Sequence, residues 1–313
     1  MPNKHITRLE DIPLVAILLC TYNGEKFLRE QLNSIKSQEH KNFTLWASDD
    51  GSNDNTLKIL NEYRNLWGED RLTIYAGPEK GFAANFLSLI CNPHIEADYY
   101  AFADQDDIWE PNKLSHGIKH LHKLPKHRPA IYSGRTCFID EQGKKIGYSP
   151  LFKKQPGFGN ALVQSIATGN TMVMNRAARD LICEIGETPI VSHDWWAYIL
   201  ITGVDGTFIY DPQPTVLYRQ HESNIVGGSI KLNARLKKLL SSQFKEYNTI
   251  NAIALKQAYT HLSSENKLIF KRYNIIRTRA IIPRLTSISR SDIYRQTLIG
   301  NIGLLAAIIL NKF

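Results

Sequence analysis

Residues 14–35 read LVAILLCTYNGEKFLREQLNSI, and the two halves of this stretch have different periods. Residues 14–20 are apolar without a break, the pattern of a strand covered on both faces. The turn Thr21-Tyr22-Asn23-Gly24 follows, and Leu28, Leu32 and Ile35 then recur at helical spacing. A strand that runs through a short turn into an amphipathic helix is the first unit of an alternating α/β chain.

The alternation continues outward. Residues 43–47 read as a second strand, ended by Ser48-Asp49-Asp50-Gly51-Ser52, with Ser52 and Asp54 available to cap a second helix. A third strand is expected over 72–75, a third helix over 82–91 and a fourth strand over 99–103, which runs into Asp104-Gln105-Asp106-Asp107. The fold class expected is α/β, an open, mainly parallel sheet flanked by helices. Ligands of such sheets bind beyond the carboxyl ends of the strands, so TYNG, SDDGS and DQDD should converge on one crevice. The chain has no GxGxxG after the first strand and no GxxxxGK[ST], which argues against a dinucleotide oxidoreductase or a P-loop NTPase.

Composition narrows the class further. The 313 residues are 43% apolar and 22% charged, which excludes a disordered, collagen-like or disulfide-stapled chain. Cys20, Cys91, Cys137 and Cys183 are far apart with no CxxC pair, as expected of buried thiols in a reducing compartment. The first residues lack a signal-peptide core and no run reaches the ~20 apolar residues of a membrane span, so a cytoplasmic location is expected.

Charge is unevenly distributed. Residues 231–313 hold 15 Lys and Arg against Glu246, Glu265 and Asp292, whereas residues 1–230 hold 23 bases and 27 acids. The boundary falls at Gly227-Gly228-Ser229, giving a 1–228 domain and a basic, amphipathic helical tail over 229–313. The tail ends in a mostly apolar segment, 298–310, near Arg284, Arg290 and Arg295. That combination suits an anionic membrane surface; packing on the core or in a homodimer is the alternative. No zinc-finger, RRM or KH signature accompanies the basic residues, which argues against nucleic acid.

Asp104, Asp106 and Asp107 crowd three carboxylates into four positions, and such a group repels itself unless a cation is present. Oxygen ligands suit Mg²⁺ or Mn²⁺, which would neutralise a diphosphate. A solvated acidic turn is the plainer reading, but the flanking Ile108 and Trp109 argue for a built site.

These segments together, VAILLCTYNGEKFLREQLNSIKSQ, FTLWASDDGSNDNT and YYAFADQDDIW, resemble the inverting nucleotide-sugar glycosyltransferases of family 2, with the GT-A fold. The resemblance covers 14–228, and the FADQDDIW and YRQH forms look most like bacterial rhamnosyltransferases of surface polysaccharide synthesis. It implies a nucleotide pocket of Thr21, Tyr22 and Asn23, with Tyr22 against the base and Asp50, or its neighbour Asp49, on the pyrimidine edge. It implies Asp106 and Asp107 as the acids that hold ribose and metal, Asp107 ligating directly, with Asp104 in the same loop. Asn85 lies where many relatives carry Arg-Asn; here Ala84 precedes it, and Lys80 is the candidate replacement for the missing base.

On the acceptor side, an inverting transfer needs one general base, and Asp194 in Ser192-His193-Asp194-Trp195-Trp196 matches the family's base motif, with His193 in place of the usual acid. A helix-capping aspartate is the alternative. Trp195 or Trp196 would stack on an acceptor sugar or pack in the core. Gly169 in Thr168-Gly169-Asn170 would let backbone approach the ligands. In Tyr218-Arg219-Gln220-His221, Arg219 suits a diphosphate, and the resemblance puts His221 at the metal. The function implied is transfer of L-rhamnose from dTDP-rhamnose to a lipid-linked saccharide acceptor, by an enzyme peripheral on the inner face of the cell membrane. A UDP-hexose transferase and a non-catalytic nucleotide- or carbohydrate-binding module are the competing readings.

Overall fold

The computed structural model describes residues 12–221 and 241–313, so the expected boundary at Gly227-Gly228-Ser229 lies outside the described residues. The strands are β1 (Val15–Thr21), β2 (Phe43–Asp49), β3 (Leu72–Ala76), β4 (Tyr99–Ala103), β5 (Ile108–Trp109), β6 (Ala130–Gly134), β7 (Cys137–Ile139), β8 (Lys145–Tyr148), β9 (Val173–Asn175), β10 (Thr207–Asp211) and β11 (Val216–Arg219). Between them run α1 (Leu28–Lys36), α2 (Thr56–Trp67), α3 (Phe82–Ile90), α4 (Lys113–Leu121), α5 (Phe158–Ala161), α6 (Arg176–Ile185) and α7 (His193–Gly203). The C-terminal part is helical: α8 (Ser242–Gln257), α9 (Ser264–Thr278), α10 (Ile281–Ser289) and α11 (Leu298–Ile309).

The main sheet has the order β10-β6-β9-β4-β1-β2-β3 and is parallel except for β9. A smaller sheet has the order β5-β11-β7-β8. The unbroken apolar run of β1 has a direct cause: both faces of the strand are covered. Val15, Ile17 and Leu19 enter one core with Leu28, Leu32 and Leu60, while Ala16, Leu18 and Cys20 enter another with Phe86, Phe102 and Trp196.

The second core continues into the C-terminal helices through Phe244, Leu255, Tyr273, Ile276, Leu304, Ile308 and Phe313. Helix α11 is apolar all round. Its Gly303, Leu304, Ala307 and Ile308 are buried, while Leu298 and Ile302 stay 75% and 60% exposed. No residue of α10 is buried, and its Ile282 is 73% exposed. Core packing and an open apolar surface, set against each other by the sequence, are therefore both present. Among the described residues no helix is long and apolar enough to cross a membrane.

Backbone contact locks the C-terminal part to the sheet domain. A Cβ on Gly159 would lie 2.0 Å from the Asp292 carbonyl oxygen, and the Asn160 side-chain amide donates to the Tyr294 carbonyl at 3.0 Å. Backbone cannot rotate away as a side chain can, so Gly159→Ala is expected to cost roughly 1–3 kcal/mol or more. Loss of stability in urea unfolding, with faster proteolysis between 221 and 313, is the outcome expected; an unchanged midpoint counts against this docking.

Candidate active site

Parallel pairing aligns the strand ends that carry the loops. Thr21 is in register with Asp49, and Leu19 with Ala103, so TYNG, SDDGS and DQDD open on the same edge of the sheet. Asp49 accepts from the Thr21 hydroxyl at 2.7 Å and from the Ser52 hydroxyl and N–H at 2.6 and 2.9 Å. The two oxygens of Asp50 accept from the N–H groups of Glu79 and Gly81 at 2.7 and 2.9 Å, which brings exposed Lys80 to this edge. Gln105 pairs its side-chain amide with both backbone groups of Tyr22, at 2.9 Å each, leaving the Tyr22 ring 56% exposed. Asn23 takes a left-handed conformation (φ 48°), with its N–H on the Ser52 hydroxyl and its side-chain oxygen accepting from Asn53 N–H.

The acid loop is held from several sides. Asp106 Oδ2 lies 2.7 Å from His221 Nε2, and both side chains are partly accessible. Asp107 is buried; its carboxylate accepts from the Asn170 amide and from Arg219 N–H. Burial, then the charges of Asp106 and Asp104, hold Asp107 well above the usual carboxylate range. Burial, then Asp106 and Asp194, push Asp104 up to about 8. The nearby cation is Lys113 at the start of α4, fully buried over the Trp109 ring at 3.5 Å and pulled down to about 7 by burial against the attraction of Asp107 and Asp104. Acids that repel one another behind a carboxylate–imidazole pair are suited to a divalent cation, and Asp106 and His221 are the two whose side chains stay partly accessible to one.

Asp194 stands in the first turn of α7, capped not by it but preceded by Ser192 at the cap position. One oxygen accepts from Gly169 N–H at 3.2 Å and the other from Trp195 N–H at 2.6 Å. The turn that holds Asp194 also touches the acid loop, because Asn170, next to Gly169, donates to Asp107. Gly169 has a packing reason: a Cβ there would lie 2.3 Å from His193 Nε2.

Several expected contacts are placed differently. Arg219 is 0% exposed, and its guanidinium donates to the carbonyls of Asp106, Asp140 and Glu141 and to Glu30, so it shapes the acid loop from within rather than reaching for a diphosphate. Asn85 is sealed against Ser48, accepting from its hydroxyl and donating to its carbonyl, and Thr21 spends its hydroxyl on Asp49. Trp195 and Trp196 are core residues, Trp195 donating to the Ala161 carbonyl at 2.7 Å, and neither offers a ring face to a sugar. Asp107, expected to ligate directly, has its oxygens turned to Asn170 and Arg219, which leaves Asp106 the better placed acid. Sequence reasoning missed Lys113, Gln105, Glu30 and Gln31. Gln31 is fully buried and donates to the Asp104 carbonyl at 2.9 Å. A glutamine on the buried face of an amphipathic helix was the available signal for that residue.

A mainly parallel sheet of this order, flanked by helices and with carboxylates on its carboxyl edge, matches the GT-A fold of nucleotide-sugar transferases. The family model described as Glycosyl transferase family 2 matches residues 16–181, and the chain belongs to that family. It is 33% identical over 233 residues to the dTDP-rhamnosyl transferase RfbG of Shigella flexneri, covering 71% of this chain and 78% of that one. It is 23% identical over 282 residues to an uncharacterized glycosyltransferase of Rickettsia typhi, covering 88% and 85%. Among solved structures, S. aureus TarS 1-349 in complex with UDP-GlcNAc superimposes with TM-score 0.54 at 17% identity, over 94% of this chain and 79% of that one. The mannosyltransferase PcManGT of Pyrobaculum calidifontis, in complex with GDP-Man and Mn²⁺, gives 0.51 at 16%, over 96% and 87%. These two likenesses establish the fold.

His193 supplies a test of this packing. Its ring stacks on Phe86 at 3.9 Å, neither nitrogen has a hydrogen-bond partner among the described residues, and burial pushes its pKa down to about 4. The unfolded chain takes up a proton near pH 6.5 that the folded chain refuses, so this stability is complete above that pH and is lost as pH falls toward 4. The loss is about 3 kcal/mol. Urea unfolding at pH 7 and pH 4 should show His193→Leu flattening the dependence by that order; parallel curves for the two proteins would refute the assignment.

Proposed function

We propose that this family 2 glycosyltransferase is a metal-dependent inverting enzyme that moves L-rhamnose from dTDP-rhamnose to a lipid-linked saccharide during bacterial surface polysaccharide synthesis. The carrying observation is that one turn, Gly169-Asn170, holds both Asp194 and the acid loop: Gly169 N–H donates to Asp194 and the Asn170 amide to Asp107, next to the Asp106–His221 pair. The relative named as a dTDP-rhamnosyl transferase supports the donor. The exposed Tyr22 ring is the platform for the base, with Asp49 and Asp50 fixing the loops around it.

Asp194 takes the proton of the acceptor hydroxyl. The acceptor oxygen forms a bond to the anomeric carbon while the bond to the diphosphate oxygen breaks, and the nucleoside diphosphate leaves with the electron pair. Asp106 and His221 would hold Mn²⁺ or Mg²⁺, which when bound supplies positive charge for the leaving diphosphate. Gly169 N–H and Trp195 N–H at the start of α7 hold the two oxygens of the Asp194 carboxylate in place.

The C-terminal helices fit a membrane-bound acceptor, and we treat 1–228 as the catalytic part and 229–313 as the part that meets lipid. Ile281, Ile282 and Leu285 of α10 and Leu298, Ile299 and Ile302 of α11 are exposed, and a neighbouring groove is lined by Lys256, Lys271 and Arg279. Apolar side chains with basic neighbours suit an anionic headgroup layer on the inner face of the cell membrane.

Two measurements test this reading. Release of nucleoside diphosphate from dTDP-rhamnose, UDP-glucose, UDP-galactose, UDP-N-acetylglucosamine and GDP-mannose is followed with Mn²⁺, Mg²⁺ or EDTA and a membrane extract. Turnover of dTDP-rhamnose that EDTA abolishes is expected, with Asp194→Asn lowering kcat by about 10²–10⁴-fold at unchanged donor binding. Turnover of another donor would overturn the rhamnosyl assignment, and normal Asp194→Asn turnover would remove the base. For the tail, deletion would open the core, so Ile282→Glu/Leu298→Glu/Ile302→Glu is the variant of choice. Its binding to phosphatidylglycerol vesicles should weaken more than about 100-fold. Unchanged vesicle binding would rule out this face.

A further inference from the structure

We propose a zinc site that neither the acid loop nor the transfer reaction uses, made by His116, His120 and Asp211. His116 and His120 are four residues apart on α4 and so share one face of the helix. Asp211 ends β10, beside Gly134 at the end of β6. His116 Nε2 lies 2.7 Å and His120 Nε2 3.6 Å from the same oxygen, Asp211 Oδ2, and the three ligand atoms all lie within 4.8 Å of one another. A tetrahedral zinc with bonds of about 2.0–2.2 Å keeps its ligand atoms about 3.3 Å apart, so small side-chain shifts convert this cluster into a site.

The surroundings already orient the ligands. Tyr132 of β6 stacks on His120 with ring centroids 5.3 Å apart and meets His116 edge-on at 5.7 Å. The Tyr132 hydroxyl donates to Asp211 Oδ2 at 3.1 Å, and Gln213 N–H donates to Oδ1 at 2.8 Å. Hydrogen bonds of this kind to a ligating carboxylate are what fixes a metal ligand in place. Both imidazoles remain partly accessible, which leaves an entry path and room for a water as fourth ligand. Lys119 and Lys123 are solvent-exposed, where water and salt screen their charge. Two imidazoles and a carboxylate favour zinc over Mg²⁺ or Mn²⁺, so the ion expected here differs in kind from the one proposed for the acid loop.

The site would brace α4 against β6 and β10. His116 is one turn beyond Lys113, the buried cation over the Trp109 ring, so the brace holds the helix that supplies that charge.

The test is equilibrium dialysis of metal-stripped, tag-free protein against Zn²⁺, read by elemental analysis, in a His221→Ala background that removes a ligand of the acid loop. One zinc per chain is expected. Adding His120→Ala should weaken binding more than about 100-fold, beyond what loss of an outer contact costs, and abolish the rise in Tm on adding Zn²⁺. His116→Ala should do the same, and circular dichroism identifies a variant that has not folded. No bound zinc in the His221→Ala chain, or equal affinity with and without both histidines, overturns the site. Activity is not read, so this outcome is independent of the transfer reaction.

Discussion

A guanidinium buried without solvent contact is the constraint on which the rest of the cleft depends. Arg219 donates through Nε to the Asp106 carbonyl at 3.0 Å, through Nη1 to Glu141 at 2.7 Å and through Nη2 to Glu30 at 2.7 Å, and its plane lies 4.4 Å from the Phe27 ring. Removing a charge of this kind from water is costly, and it is tolerated because nearly every donor of the fork meets an acceptor. Those acceptors come from α1, the acid loop and the β7–β8 connection, so one side chain sets three segments in relation to one another. The backbone N–H of the same residue holds Asp107, and two residues later His221 meets Asp106. The acid loop therefore has its shape before any ligand arrives.

The opposite problem, too much negative charge, is solved by burial and one lysine. Burial and mutual repulsion hold Asp104 and Asp107 above the usual carboxylate range, and Lys113 sits on Trp109 with no hydrogen-bond partner for its ammonium among the described residues. This is a low-dielectric cluster in which charge is balanced by proximity and not by direct ion pairs. Helix α1 and the turn after it close it from behind with polar residues: Gln31 on the Asp104 carbonyl, the Ser34 hydroxyl accepting from Trp109 N–H, and Gln38 on the Glu110 carbonyl. Backbone between the end of β4 and the end of β5 that would otherwise be buried without partners is thereby satisfied.

This arrangement explains which parts were legible in the sequence. The alternation of β1, α1, β2, α2, β3, α3 and β4 is written in local periodicity, and the bounds differ from expectation by a residue or two. Loops at the carboxyl edge follow from topology once the strands are parallel. What periodicity does not carry is the partner of a polar side chain. Arg219 reads as a ligand contact because its type suits a diphosphate, and Asn85 because it lies where relatives carry Arg-Asn, yet tertiary hydrogen-bond partners claim both. The two tryptophans of α7 carried no pattern to separate a sugar platform from a core, since nearly every position of that helix is buried. Helix α11 defeats a hydropathy reading for a related reason: apolar residues surround it, so only packing decides which side stays open.

Strand β9 carries a consequence for the order in which the molecule assembles. It is three residues long, yet it stands between β4 and β6 and is antiparallel to both. Strands β1 to β4 pair among themselves within the first third of the chain, so during synthesis this part of the sheet forms early, with only the β4 edge left waiting for β9. Strands β6 and β10 have no route to that sheet until β9 emerges to bridge them. The bridge is also the residue after which α6 begins, with Asn175 capping the helix through Ala178 N–H. The half of the molecule that carries Asp194 is thus joined in the sheet to the half that carries TYNG and SDDGS by a seam of long sequence separation and very few ladder bonds.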